Sequence, residues 1–169
     1  MLFRSRHDLH QIAKRVSVPS LMQVEEYETV YQLVSVIQGY VGDSVSAPGQ
    51  QAFSGFDVLA HALPPGSMTG APKKRSVELL QTIEGHTRGI YSGVCGYLSV
   101  CGAGDWSVII RSAFRHSDEA ARSGTADTWW IGAGGAITTL SDPEAEWEEM
   151  LTKLQSTLPS FGSDVDFIT

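Results

Sequence analysis

The stretch Leu63–Arg75, LPPGSMTGAPKKR, constrains this chain more than any other. Pro64 and Pro65 hold its approach extended, and Gly66 and Gly70 let the backbone take positive φ or come close to another group. Pro72 suits the first position of a helix, and Val77, Leu80 and Ile83 continue a helical pattern that closes at Gly85. The small hydroxyl residues Ser67 and Thr69 therefore sit just ahead of a helix N-terminus, where free N–H groups favour an anion. An ordinary Pro/Gly loop before a surface helix gives the same pattern. A Walker loop does not: four residues after Gly66 comes Ala71, and Lys73 is followed by Lys74.

Any anion bound here must be met by locally placed cations, because the 169-residue chain carries a net charge of −7. That charge, without a basic stripe interleaved with aromatics, argues against non-specific nucleic-acid binding. Hydrophobic content of 42% and charged content of 18% fit a globular domain with a real core. No apolar run is long enough to span a bilayer, and the basic start MLFRSRHDLHQIAKR has no apolar signal core. Cys95 and Cys101 make no disulfide framework, so free thiols and a cytoplasmic location are expected.

Val30, Leu33, Val34 and Ile37 follow the i, i+3, i+4, i+7 rule, which predicts an amphipathic helix ended by Gly39 and Gly42. Gln32 and Ser35 then fall on its solvent side. Residues 42–51 read as a loop, and Asp57 can cap a short helix over Val58–Ala62. Beyond Gly85 the pattern turns extended: Ile90–Cys101, Ser107–Phe114 and Thr128–Thr139 are predicted strands, the first two joined by a turn at Gly102–Asp105. The third contains Gly132, Ala133, Gly134, Gly135 and Ala136, a glycine density that marks close approach of a ligand or backbone. It fails the dinucleotide fingerprint, because Ile137 stands where the third glycine belongs.

Arg111, inside VIIRSAF, shares a face with Ile109 and Ala113 on strand alternation. A guanidinium there suits either a bound carboxylate, held bidentately, or one of the chain's own acids. Tyr97 on the neighbouring strand can present its hydroxyl to the same place or serve as a core tyrosine. The last element is a helix opened by Ser141-Asp142-Pro143-Glu144, with Ser141 and Glu144 as a capping box. Trp147, Met150, Leu151 and Leu154 form its apolar face. Glu146, Glu149 and Lys153 line one flank: two carboxylates one turn apart can hold a hard cation such as Mg²⁺, or the strip is solvated with a plain Glu149–Lys153 pair.

Taken together, PPGSMTGAPKKR, RGIYSGVCGYLS, DWSVIIRSAF, GAGGAIT and SDPEAEWEEMLTK resemble, in order and spacing, the C-terminal part of the chorismate-utilising enzymes. The resemblance runs from about Arg6 to Leu154. The family includes aminodeoxychorismate synthase component I and anthranilate synthase component I, and the form GSMTGAPK is similar to these amination branches, leaning towards the first. The resemblance implies an α+β fold, a portion of a layered antiparallel sheet with outer helices. Residues 1–157 would form the C-terminal part of a chorismate-binding domain and 158–169 a tail.

It also implies a site. Arg111 and Tyr97 would bind one carboxylate of chorismate beside the backbone of Gly134, Gly135 and Ala136, Lys153 would help hold the other, and Ser67 would line the pocket. Glu146 and Glu149 would be Mg²⁺ ligands. Ammonia would come from a glutamine amidotransferase subunit or fused domain. The chain departs from the family pattern too. The family's lysine motif (PIKGT-like) and further metal-binding glutamates belong to an N-terminal half that would be a required partner. The family's RNDL motif is Arg6-His7-Asp8-Leu9, the usual histidine is Gln32, and Leu140 replaces a common acid. No catalytic residue is assigned for that reason. An enzyme portion completed by its other half and a non-catalytic chorismate-binding domain are both compatible with this sequence.

Overall fold

In the computed structural model, residues 2–42, 53–115 and 129–161 are described. They fall into two compact units: residues 1–80 with 96–106, and residues 81–95 with 107–169. The boundary lies within one helix and within one hairpin.

The first unit opens with α1 (Leu2–His10), followed by β1 (Arg15–Glu26) and β2 (Tyr31–Tyr40), which pair antiparallel as a long ribbon. The predicted helix over Val30–Ile37 is thus a strand. Its spacing is helical, but Val30, Val34, Val36 and Ile37 are β-branched, and Arg15–Glu26 supplies a complementary partner strand; pairing overrides the short-range period. Gln32, expected on a solvent face, is half-buried opposite Glu25, on the same side as Val34. Ser35 accepts a hydrogen bond from the Met22 amide (2.9 Å). The register slips between Ser17 and Ser20, where Pro19 has no N–H to give the ladder, and again before Gln23, where Met22 takes φ 49°.

The ribbon's root packs on the turn after α1. Ile12 and Ala13 are buried there, the Lys14 amide donates to Tyr40 O (2.8 Å), and a Cβ at Gly39 would lie 3.3 Å from Ala13 Cβ. The segment outside the described residues (43–52) covers most of the predicted 42–51 loop. Helix α2 (Gly55–Ala62) is capped by Ser54 instead of Asp57; Asp57 is the N3 partner that closes the capping box. The stretch Leu63–Arg75 then forms a single helical turn, α3 (Gly66–Thr69), before entering α4 (Lys73–Ile83). Gly70 has φ 107° between them, and Gly85 has φ 65° beyond α4.

Strands β3 (Val94–Leu98) and β4 (Gly104–Val108) form the hairpin, with its tip in the first unit and its base in the second. The turn comes earlier than expected, closed where the Ser99 amide donates to Ala103 O (2.7 Å). The second unit adds β5 (Ala113–Phe114) paired antiparallel with β6 (Trp130–Ile131), then α5 (Pro143–Gln155) and a 3-10 turn at Leu158–Ser160. The strand predicted over Ser107–Phe114 breaks between β4 and β5, at Arg111. Of the strand predicted over Thr128–Thr139 only β6 forms; the glycine run leaves the sheet. Leu154 is buried in this unit, and Trp129 stacks obliquely on Phe161, 5.3 Å between ring centres. The tail from 162 onward lies outside the described residues. No helix among the described residues is long and apolar enough to cross a membrane.

Candidate functional site

Helix α5 sets the chemistry of the second unit. Its cap is Asp142, whose carboxylate accepts from the Ala145 amide (3.0 Å), with Pro143 in the first turn. The capping box expected from Ser141 and Glu144 does not form, because the shorter acid one residue later reaches the free amide. Ser141 is thereby released, and its hydroxyl donates to Glu146 Oε1 (2.7 Å) and approaches Ala136 O (3.4 Å).

The other oxygen of Glu146, Oε2, is buried and has no hydrogen-bond partner among the described residues. A Cβ at Gly135 would lie 2.7 Å from it, so glycine keeps the space over this carboxylate open. One turn along, Glu149 Oε1 stands 2.5 Å from Lys153 Nζ. The hydrogen bond and charge of Lys153 hold the Glu149 pKa below the usual carboxylate value. Lys153 Nζ also donates to Gly134 O (3.3 Å). Gly134, Gly135, Glu146, Glu149 and Lys153 are thus brought together, with Ala136 alongside. The two carboxylates are hard oxygen donors; no group of three His, Cys, Asp or Glu suited to a metal occurs among the described residues.

Tyr91, absent from the sequence-based site, belongs to this cluster. A Cβ at Gly132 would lie 2.3 Å from its Cγ and Cδ2, and one at Gly134 would lie 3.0 Å from its hydroxyl oxygen. Burial pushes the Tyr91 phenol above its ordinary pKa. The signal was in the sequence: glycines two apart, at 132 and 134, leave the flat surface that an aromatic ring needs.

Arg111 is exposed with φ 49°, outside any strand, so the expectation of a cation on an apolar strand face is not met. It forms no ion pair with a described residue, so the reading as an internal salt bridge finds no support there. The hairpin base ends in the bonds Ser92 N–H to Ile109 O and Ile109 N–H to Gly93 O, both 2.9 Å. Tyr91 and Arg111 both lie just past this end of the ladder.

The remaining expected residues belong to the first unit. Tyr97 is 63% exposed on β3. Ser67 is half-buried in α3. Lys73 is engaged internally: its Nζ makes a close ion pair with the buried Asp8 (2.7 Å to Oδ2) and reaches Ala62 O (3.3 Å). The loop is thereby tied to α1 and to the end of α2.

The family described as chorismate binding enzyme matches residues 3–159. The chain is 48% identical over 165 residues to aminodeoxychorismate synthase of Saccharomyces cerevisiae, covering 92% of this chain and 20% of that protein. It is 43% identical over 153 residues to the chloroplastic aminodeoxychorismate synthase of Arabidopsis thaliana, covering 89% of this chain and 15% of that protein. The crystal structure of anthranilate synthase component I from Streptococcus pneumoniae superposes with a TM-score of 0.66 at 29% identity, over 92% of this chain and 32% of that one. The α+β expectation agrees with this likeness. The chain spans a fifth or less of the length of the two curated relatives.

Proposed function

The chain belongs to the chorismate binding enzyme family, and from that premise we propose that it forms the carboxylate- and metal-binding portion of an aminodeoxychorismate synthase. The whole enzyme would replace the ring hydroxyl of chorismate with an amino group, giving 4-amino-4-deoxychorismate. The observation that carries the reading is Glu146 Oε2, buried beneath Gly135 with no hydrogen-bond partner among the described residues, one turn from the Glu149–Lys153 pair. A carboxylate oxygen left unpaired in a half-buried site is costly unless a ligand completes it.

Mg²⁺ fits this donor set, since it takes one or two carboxylates and completes its shell with water and substrate oxygens. Glu146 and Glu149 would hold it, and bound there it would supply Lewis acidity and neutralise charge on a dianionic substrate. Ser141 orients Glu146 through Oε1 and leaves Oε2 for the metal. Gly134, Gly135 and Ala136 admit one carboxylate to the backbone, and Arg111 offers it a planar fork. Of the two tyrosines Tyr91 is the better placed to donate to it, because its hydroxyl lies at Gly134. Lys153, fixed by Glu149 and Gly134 O, brings an ammonium to the other carboxylate. Ammonia would be delivered by a glutamine amidotransferase subunit or domain, and further metal ligands by segments of the kind that make the relatives longer.

Calorimetric titration with chorismate, with and without Mg²⁺, tests the proposal. Magnesium-dependent binding that is lost in Arg111→Ala and Lys153→Met supports it. Binding unaffected by Mg²⁺ or by either substitution refutes it. Co-expression with the remainder of a relative's chain, followed by product analysis, separates 4-amino-4-deoxychorismate from anthranilate.

A further inference from the structure

What holds Tyr91 against the glycines is a question that rests on the reading of this site just given. Glu84 and Arg88 face one another across the bend that follows α4, with Arg88 Nε 3.1 and 2.8 Å from the two carboxylate oxygens and Nη2 also on Oε1. Both side chains are half-buried, at 29% and 26% exposure. The hydrogen bonds from Arg88 are the main cause that lowers the Glu84 pKa, which keeps this pair charged. The outer edge of the guanidinium is used as well: Nη1 donates to Ser92 Oγ (2.9 Å).

Ser92 is 7% exposed and has φ 72°, a left-handed conformation that side-chain-bearing residues avoid. Its amide is fixed on Ile109 O (2.9 Å), and the preceding Tyr91 amide is fixed on Arg88 O (3.1 Å). Tyr91 therefore lies between its own amide, held by the Arg88 carbonyl, and Ser92, whose amide is held by Ile109 O and whose hydroxyl is held by the Arg88 side chain. Were the hydroxyl bond lost, Ser92 could relax towards extended backbone, and that rotation would carry the adjacent ring off Gly132.

We propose that Arg88 is a positioning residue: clamped by Glu84 and bonded to the Ser92 hydroxyl, it holds the left-handed turn that sets Tyr91 on Gly132 with its hydroxyl at Gly134. Arg88 touches no substrate in this scheme. It acts through Ser92 on Tyr91.

The test is ¹⁹F NMR of the full chain labelled with 3-fluorotyrosine, with the Tyr91 resonance assigned by Tyr91→Phe. In Arg88→Ala and in Ser92→Ala the Tyr91 resonance should move towards those of exposed tyrosines such as Tyr31, which is 70% exposed. Arg88→Lys, which replaces the rigid fork spanning carboxylate and hydroxyl with a single nitrogen, should move it the same way. Chorismate affinity should fall about tenfold, the equivalent of one hydrogen bond. A lower melting temperature with an unmoved Tyr91 resonance would overturn the proposal, since a purely structural pair would behave that way. If Arg88→Ala does not fold, Ser92→Ala decides alone: a moved resonance supports the proposal and an unmoved one overturns it. Failure of the parent chain to bind chorismate would strike the ligand reading alone, because the resonance is read without ligand.

Discussion

Gly132→Ala is the sharpest test of how the site is built. The new Cβ would lie 2.3 Å from Tyr91 Cγ and Cδ2 and 2.8 Å from Tyr91 Cβ, where ordinary contact begins at 3.4 Å. About 1.1 Å of displacement is needed, and repulsion rises steeply over such a distance. The contacts are at the root of the side chain, so turning the ring about its own axis does not clear them. Backbone or tyrosine must move, at about 1–3 kcal/mol for an overpacked position. Urea unfolding followed by tryptophan fluorescence measures this cost, and the 3-fluorotyrosine resonance of residue 91 reports the displacement. Gly85→Ala is the control, because it has φ 65° and nothing within 4 Å, so its cost, about 1–2 kcal/mol, arises from backbone conformation alone and should leave Tyr91 unmoved. A Gly132→Ala protein within about 0.5 kcal/mol of the parent, with an unchanged Tyr91 resonance, would refute the argument that glycine 132 exists to seat this ring.

Three further outcomes follow from the same contacts. Glu146→Gln should abolish Mg²⁺ binding in calorimetry, while Ser141→Ala, which frees the carboxylate without removing it, should weaken it about 10- to 100-fold. Asp8→Ala leaves the Lys73 ammonium without its partner and should lower stability in urea by about 1–3 kcal/mol; Lys73→Met, which leaves the more deeply buried Asp8 carboxylate without a cation, should cost at least as much. Glu84 has its pKa lowered below the ordinary 4.5 by Arg88, so the native state releases that proton more readily than the unfolded chain. Its stabilisation is therefore complete above pH 4.5 and lost as pH falls through the lowered native value, and Glu84→Gln should flatten the stability–pH curve in that window.

Much of this was readable without coordinates wherever local chemistry decides. Helix α5 follows from Pro143 and the apolar stripe to Leu154, and the Glu149–Lys153 pair follows from i, i+4 spacing alone. The α4 boundary follows from Pro72 and Gly85. The ribbon was not readable that way. Val30, Leu33, Val34 and Ile37 satisfy a helical period by accident of spacing, and only the partner strand Arg15–Glu26 makes them a sheet; that partner is a non-local fact. The α5 cap was misassigned because Ser141 and Asp142 are both competent N-caps, and one residue of register decides which reaches the amide. That choice has a chemical consequence, since the displaced serine is what orients Glu146.

The deeper failures share a cause. Strand reading by alternation assumes uniform extended backbone, and it goes wrong where a residue takes positive φ. Outside glycine the described residues do so at Met22, Ser92 and Arg111. Met22 lies at a register slip of the ribbon, whereas Ser92 and Arg111 flank the open end of the hairpin base, beside Tyr91. A left-handed turn at each breaks the strand and redirects the chain. Alternation placed Arg111 on a sheet face with Ile109 and Ala113, but the turn leaves it exposed and without an ion pair among the described residues. It passed over Tyr91 because the ring's orientation is set by Ser92, which no period-2 pattern encodes. Strained backbone of this kind persists where surrounding structure over-determines it, and here the over-determination is visible: Arg88 and Ile109 hold Ser92 from side chain and amide. Alternation therefore misplaces Arg111 and passes over Tyr91 at the one hairpin end where two left-handed turns redirect the chain.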